Sequence, residues 1–151
     1  MIKKTVTNST CLIGLERIGR LDILPQVFFP VIIPCAVAAE VGLSAEWLTV
    51  QAVKNLAVVT TLKTQIDSGE AEAIALAMEI EDVFIILDDR NARRIAQQLS
   101  LKVIGTVGML LRAKQQGIIP EIKPLLTALE AADFRIAEPL VQNALRLAGE
   151  L

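Results

Sequence analysis

Val83-Phe84-Ile85-Ile86-Leu87 is an unbroken apolar run closed by Asp88-Asp89, and it directly follows the best-marked helical stretch of the chain. A strand with one wet face alternates polar and apolar residues, whereas a strand covered on both faces does not, so this run belongs in a parallel sheet between two helical layers. Parallel neighbours need crossover connections, and the remaining sequence must therefore supply helices between strands. Val6, after the lead-in Met1-Ile2-Lys3-Lys4-Thr5, marks a first strand; the polar string Thr7 to Thr10 follows, and Leu12, Ile13, Leu15 and Ile18 then recur at helical spacing up to Gly19. A short helix over about Leu21 to Val27 leads to the β-branched strand Phe29 to Ile33, stopped by Pro34, and a helix carrying Glu40 opens at Cys35. Trp47 to Lys54 reads as helix, and the Val- and Thr-rich Leu56 to Leu62 as an edge strand.

Ser68 is expected to cap a helix with Glu70 and Glu72 in its first turn and Ile74, Ala77 and Met78 on one face. After the Val83 run come a helix over Arg90 to Leu99, a short strand over Leu101 to Ile104, and a helix over Val107 to Gln116 ended by Gly117, with Pro120 beyond. Two further helices, about Glu121 to Ala132 and Glu138 to Gly149, flank Phe134-Arg135-Ile136. The pattern predicts an α/β fold with a mostly parallel sheet flanked by helices, in a single domain spanning residues 1–151.

A mean hydropathy of +0.52 raises the question of a membrane span. The longest stretch without polar side chains, Val27 to Ala39, falls short of the roughly 20 residues a spanning helix needs and is broken by Pro30 and Pro34. No signal-peptide pattern opens the chain, and two cysteines in 151 residues cannot form a disulfide framework, so a reducing cytoplasm is the expected compartment. The high apolarity suggests a homodimer or higher homo-oligomer and no membrane partner. Cys11 and Cys35 are expected to be small buried hydrophobes, and Trp47 a packing or dimer-contact residue.

Histidine is absent, which removes His-based triads, His zinc sites and imidazole acid–base chemistry. Net charge is −2, so any polyanion site must be a local cluster. In parallel sheets ligands sit beyond the carboxyl ends of the strands. The polar residues there are Asn8, Ser9 and Thr10 after the first strand, Asp88 and Asp89 after the Val83 strand, and Gly105-Thr106 after the next. Glu40, Glu70 and Glu72 lie on helices that approach the same rim. Carboxylates gathered there repel one another unless a hard cation lies between them, and Mg²⁺ or Mn²⁺ suits such oxygen ligands. Arg90, Arg93 and Arg94 follow at once and could hold the phosphates of a nucleic acid. Duller uses exist for the same residues: Glu70 and Glu72 complement a helix dipole, Asp88-Asp89 cap a helix, Glu40 is a solvated helix residue, and the arginines are an exposed face. Gly105-Thr106-Val107-Gly108 is too short for a dinucleotide fingerprint, and no phosphate-cradling loop is present.

The segments Val6-Thr7-Asn8-Ser9-Thr10-Cys11-Leu12-Ile13, Ile18-Gly19-Arg20-Leu21-Asp22-Ile23-Leu24, Gly69-Glu70-Ala71-Glu72-Ala73-Ile74-Ala75-Leu76-Ala77, Asp88-Asp89-Arg90-Asn91-Ala92-Arg93-Arg94 and Ile104-Gly105-Thr106-Val107-Gly108 through Gly117-Ile118-Ile119-Pro120 occur in that order. With them the chain resembles, over nearly its whole length, the PIN-domain nuclease-like proteins, in particular their prokaryotic branch of predicted nucleic-acid-binding proteins. The resemblance implies a parallel sheet flanked by helices and Mg²⁺- or Mn²⁺-dependent ribonuclease activity, with RNA as substrate and, in toxin-type members, an antitoxin-like protein partner. It implies metal ligands at Asn8, Glu40, Glu70 or Glu72, and Asp88 or Asp89, of which Glu40, Glu70 and Asp89 would be the catalytic set. Ser9 and Thr10 match the family's hydroxyl positions and join Arg90, Arg93 and Arg94 as RNA-binding candidates. Glu70 is favoured over Glu72, which lies ~200° away around the helix. Asn8 stands where the family has Asp, and Cys11 where proline is common. Loss of that anion implies weakened metal binding and weak activity, or a degenerate module that binds RNA or protein without cutting.

Overall fold

The computed structural model describes residues 2–151. Five strands and nine helices follow one another in the order β1 (Lys3–Thr7), α1 (Ser9–Arg17), α2 (Ile23–Val27), β2 (Phe28–Ile33), α3 (Cys35–Val41), β3 (Leu48–Val50), α4 (Leu56–Leu62), α5 (Ser68–Met78), β4 (Val83–Ile86), α6 (Arg90–Gln98), β5 (Lys102–Ile104), α7 (Thr106–Gln115), α8 (Lys123–Ala131) and α9 (Glu138–Ala148) among the described residues. The strands form one sheet in the order β3-β2-β1-β4-β5, and every pairing is parallel. Val6 sits opposite Ile32 on one side and Ile85 on the other.

The alternation of side chains along each strand divides the core in two. Val31, Ile33 and Ile86 pack with α1, α2, α7, α8 and α9, while Val6, Ile32, Val83, Ile85 and Leu87 pack with α4, α5 and α6. Thr5 and Thr7 lie on the same side of β1 as the first set and are fully buried. Their hydroxyls donate to the Phe84 and Asn8 carbonyls at 3.1 Å each, which satisfies groups that would otherwise be costly inside. At the far end of the chain the Glu150 carboxylate accepts the Ile122 and Lys123 N–H groups at 2.8 and 2.9 Å, and Lys114 pairs with it at 2.8 Å, so a residue just past α9 caps the start of α8.

Two segments differ from the sequence expectation. Trp47 to Lys54 is not a helix but holds β3, whose Leu48, Thr49 and Val50 pair with Val31, Ile32 and Ile33. A strand of three residues is too short to display an alternation, and only the β2 ladder reveals it. Leu56 to Leu62 is not an edge strand but α4. Its Asn55 side chain accepts the Val58 N–H at 3.3 Å, and Val59, Leu62 and Ile66 form a buried stripe at helical spacing. Thr60 and Thr61 return their hydroxyls to the carbonyls of Leu56 and Ala57, so tertiary packing overrides the β propensity of the segment. Cys35 is also exposed rather than buried, in contrast to Cys11, and Trp47 is partly buried against the core.

Candidate active site

The carboxyl ends of β1, β4 and β5 deliver Asn8, Asp88, Asp89 and Thr106 to one rim, each at or bonded to the start of a helix. Asn8 Oδ1 accepts the Cys11 N–H at 3.3 Å and Asp89 Oδ2 accepts the Ala92 N–H at 2.9 Å, capping α1 and α6. Asp88 receives both the backbone N–H and the hydroxyl of Thr106, at 2.8 and 2.7 Å, and so caps α7. The cap of α5 is Asp67, whose Oδ1 accepts the Glu70 N–H at 2.8 Å, rather than Ser68. With the helix starting at its expected cap, Ser68, Glu70 lies in the first turn and Glu72 beyond it.

A cleft of about 490 Å³ opens at this rim, lined by Thr10, Ile13, Gly14 and Arg17 of α1, by Glu70, Asp88 and Asp89, and by Asp133, Phe134 and Arg135 of the α8–α9 connection. Glu40 reaches the same edge from α3: its Oε2 accepts the Ser9 hydroxyl at 3.0 Å, and its Oε1 lies against the α-carbon of Gly69. Glu72 points elsewhere, its Oε1 accepting the Ala36 N–H at 3.0 Å in the first turn of α3. Asn8 is 3% exposed, its amide oxygen bonds to the start of α1, and it does not line the cleft. Arg90, Arg93 and Arg94 line an adjoining cavity with Arg135, and Arg93 donates to the Leu87 carbonyl at 3.0 Å.

Glu70 is the electrostatic focus. Burial, then the charges of Asp67, Asp89 and Glu40, push its carboxyl up to about 7, partly offset by the Asp67 backbone. Asp88 is also raised by burial, against the pull of the two Thr106 hydrogen bonds and of Arg93. Cys11 is buried, and desolvation with the nearby Asp88 charge pushes its thiol up to about 12, so it is a protonated packing group and not a nucleophile.

The donor set fits a hard divalent cation in its chemistry. Glu40, Glu70 and Asp89 offer carboxylate oxygens, and no lysine or arginine is among the groups that set the titration of Glu70. Among the described residues no three Asp, Glu or Cys side chains close on one point at ligand spacing. Any ion held here therefore draws at least one carboxylate inward.

Sequence reasoning missed Asp67, Arg17, Asp133, Phe134 and Arg135. Of these only Phe134-Arg135 carried a readable signal: aromatic residues are 3% of the chain, and this one sits beside an arginine between two helical patterns.

The fold is an all-parallel α/β sheet with carboxylates at its carboxyl rim and arginines beside them. A family model described as a PIN domain matches residues 4–150, and the chain belongs to that family. No curated protein and no solved structure matches the chain significantly. PIN domains are generally nucleases and typically use divalent metals. No helix among the described residues is long and apolar enough to cross a membrane.

Proposed function

We propose that this protein is a divalent-metal-dependent ribonuclease with activity weakened by Asn8. The observation that carries the reading is Glu70: a carboxyl in the cleft, crowded by Asp67, Asp89 and Glu40, whose ionisation is held back until about neutral pH. Such a cluster stores repulsion that a divalent cation relieves. Glu40, Glu70 and Asp89 would hold Mg²⁺ or Mn²⁺, and the chemistry such a cation supplies is neutralisation of charge on the phosphodiester.

The chain's own groups do the rest. Ser9 orients Glu40 through its hydroxyl. Thr10 faces the cleft and can donate to a phosphate oxygen. Arg90, Arg93 and Arg94 stand next to the carboxylates and grip flanking phosphates, as guanidinium groups do in bidentate geometry. Asn8 contributes no charge, and at an effective dielectric of about 20 the missing interaction is worth on the order of 4 kcal/mol per ion charge at ~4 Å. Weak cation binding and slow turnover follow.

A second reading, a module that binds RNA without cutting it, draws on one observation: the Asn8 amide is spent on capping α1. Incubation of labelled RNA with Mn²⁺ separates the two. The nuclease reading expects slow cleavage that EDTA abolishes and that Glu70→Gln reduces at least tenfold. Binding without cleavage, in both the natural protein and an Asn8→Asp variant, selects the second reading.

A further inference from the structure

The carboxylate cleft does not end at Asp89. A second cavity of about 390 Å³ adjoins it, lined by Arg90, Arg93, Arg94 and Gln97 of α6 and by the connection between α8 and α9. Asp88, Phe134 and Arg135 line both cavities, so the two make one groove with Phe134 and Arg135 at the divide. On one side the walls carry Glu70, Asp89 and Asp133 with the single arginine Arg17; on the other they carry three arginines of α6. Asp88, the acid common to both, is already bonded to Thr106 and leaves the second cavity cationic.

The divide itself is built. A Cβ at Gly14 would lie 2.7 Å from Cδ2 of Phe134 and 3.3 Å from Leu129, so the glycine lets the ring press against α1 while its other side remains in the groove. Arg135 is exposed, and neither it nor Arg90 takes part in an ion pair among the described residues. An aromatic face beside unpaired guanidinium groups is the combination that holds single-stranded nucleic acid, in which bases stack and phosphates meet cations. A base inside a duplex is stacked on its neighbours and cannot reach the ring. An acidic peptide lacks planar groups at regular spacing from its charges.

We propose that Phe134 and Arg135 form a strand-positioning element. Phe134 stacks a base at the divide, and Arg135, with Arg90 and Arg94, takes the phosphate next to the one that faces Glu70 and Asp89. This assignment rests on the ribonuclease reading of the cleft for its substrate, but it is tested by binding alone.

Fluorescence anisotropy with a short unstructured single-stranded RNA, in EDTA so that nothing is cut, tests it. Arg135→Gln should weaken binding about tenfold and lower the slope of log K against log salt by about 1. Phe134→Leu, checked for folding by circular dichroism, should weaken binding about fivefold with the slope unchanged. A duplex of the same sequence should bind about tenfold more weakly than the single strand. Arg135 is exposed, so its variant folds whatever Phe134 does. Unchanged affinity and slope in Arg135→Gln, equal binding of duplex, or capture of polyglutamate in preference to RNA would each overturn the proposal. If Arg135→Gln loses binding while the natural protein never cleaves RNA with Mn²⁺, the element stands and the nuclease reading falls; cleavage at low RNA concentration that ignores Arg135→Gln gives the reverse.

Discussion

Oε1 of Glu40 occupies the space that a side chain at position 69 would need: a Cβ built on Gly69 would collide with it. Glycine at the second position of α5 is therefore a clearance for a carboxylate from another helix. Glu40 is held on its other oxygen by the Ser9 hydroxyl, so three separate stretches of chain meet at this point, one residue from Glu70.

Gly69→Ala follows as a test of Glu40 that leaves Glu40 itself in place. In a helix alanine is ordinarily favoured over glycine by roughly 0.5–1 kcal/mol. Here the added methyl displaces the Glu40 carboxylate, and Mn²⁺ affinity measured by calorimetry should fall about tenfold with helix content retained. Unaltered affinity in a folded variant would show that the place Glu40 takes against Gly69 is not needed for cation binding.

Glu70 links stability to pH. Its carboxyl is raised from 4.5 to about 7, so folding favours the protonated form. That contribution is fully present below the unfolded value and is lost as pH rises through about 7, so the metal-free protein should lose stability across this window. Glu70→Gln should flatten the profile and stabilise the metal-free protein at pH ~8 by about 1 kcal/mol after allowance for solvent screening, which is ~3 °C in Tm. Mn²⁺ affinity should rise over the same pH window in the natural protein, because the cation needs the carboxylate. Parallel Tm profiles for the two proteins would contradict this assignment.

Asn8→Asp restores an anion without changing shape. Aspartate is as good a helix cap as asparagine, so the bond to the Cys11 N–H should survive. The new charge sits at a position only 3% exposed, and the metal-free variant should melt at lower temperature than the natural protein. Mn²⁺ should reverse that loss and bind at least tenfold more tightly. A variant that melts lower and binds Mn²⁺ no better would show that position 8 serves only to cap α1.

The two thiols should behave oppositely. Cys11 is buried and held up to about 12 by desolvation and the Asp88 charge, whereas Cys35 is exposed. Iodoacetamide at pH ~8 should add one label per folded chain, on Cys35, and two in denaturant, as read by mass spectrometry. Rapid labelling of Cys11 in the folded chain would place its side chain outside the core.

The sheet was legible wherever one strand carried its own pattern. Val83 to Ile86 is apolar throughout because helices cover both faces, and Asp88-Asp89 mark its end for the same reason that they reach the rim. Leu48 to Val50 was not legible, since its strand character comes from β2, and neither was α4, where the buried stripe of Val59, Leu62 and Ile66 outweighs the Val and Thr content. At the site, helix register puts Glu70 and Glu72 on different faces of α5: one lines the cleft and the other turns to Ala36. The reach of Phe134 and Arg135 into the groove depends on how the connection after α8 folds back over α1, and no local pattern encodes that.

The central claim is that carboxylates from α3, α5 and the end of β4 share one divalent cation. An anomalous-difference map from crystals soaked in Mn²⁺ tests it most directly. A single peak bounded by Glu40, Glu70 and Asp89, absent from the Glu70→Gln protein, is the predicted result. At a saturating concentration, no peak in the cleft, or peaks only at unrelated surface carboxylates, would contradict it.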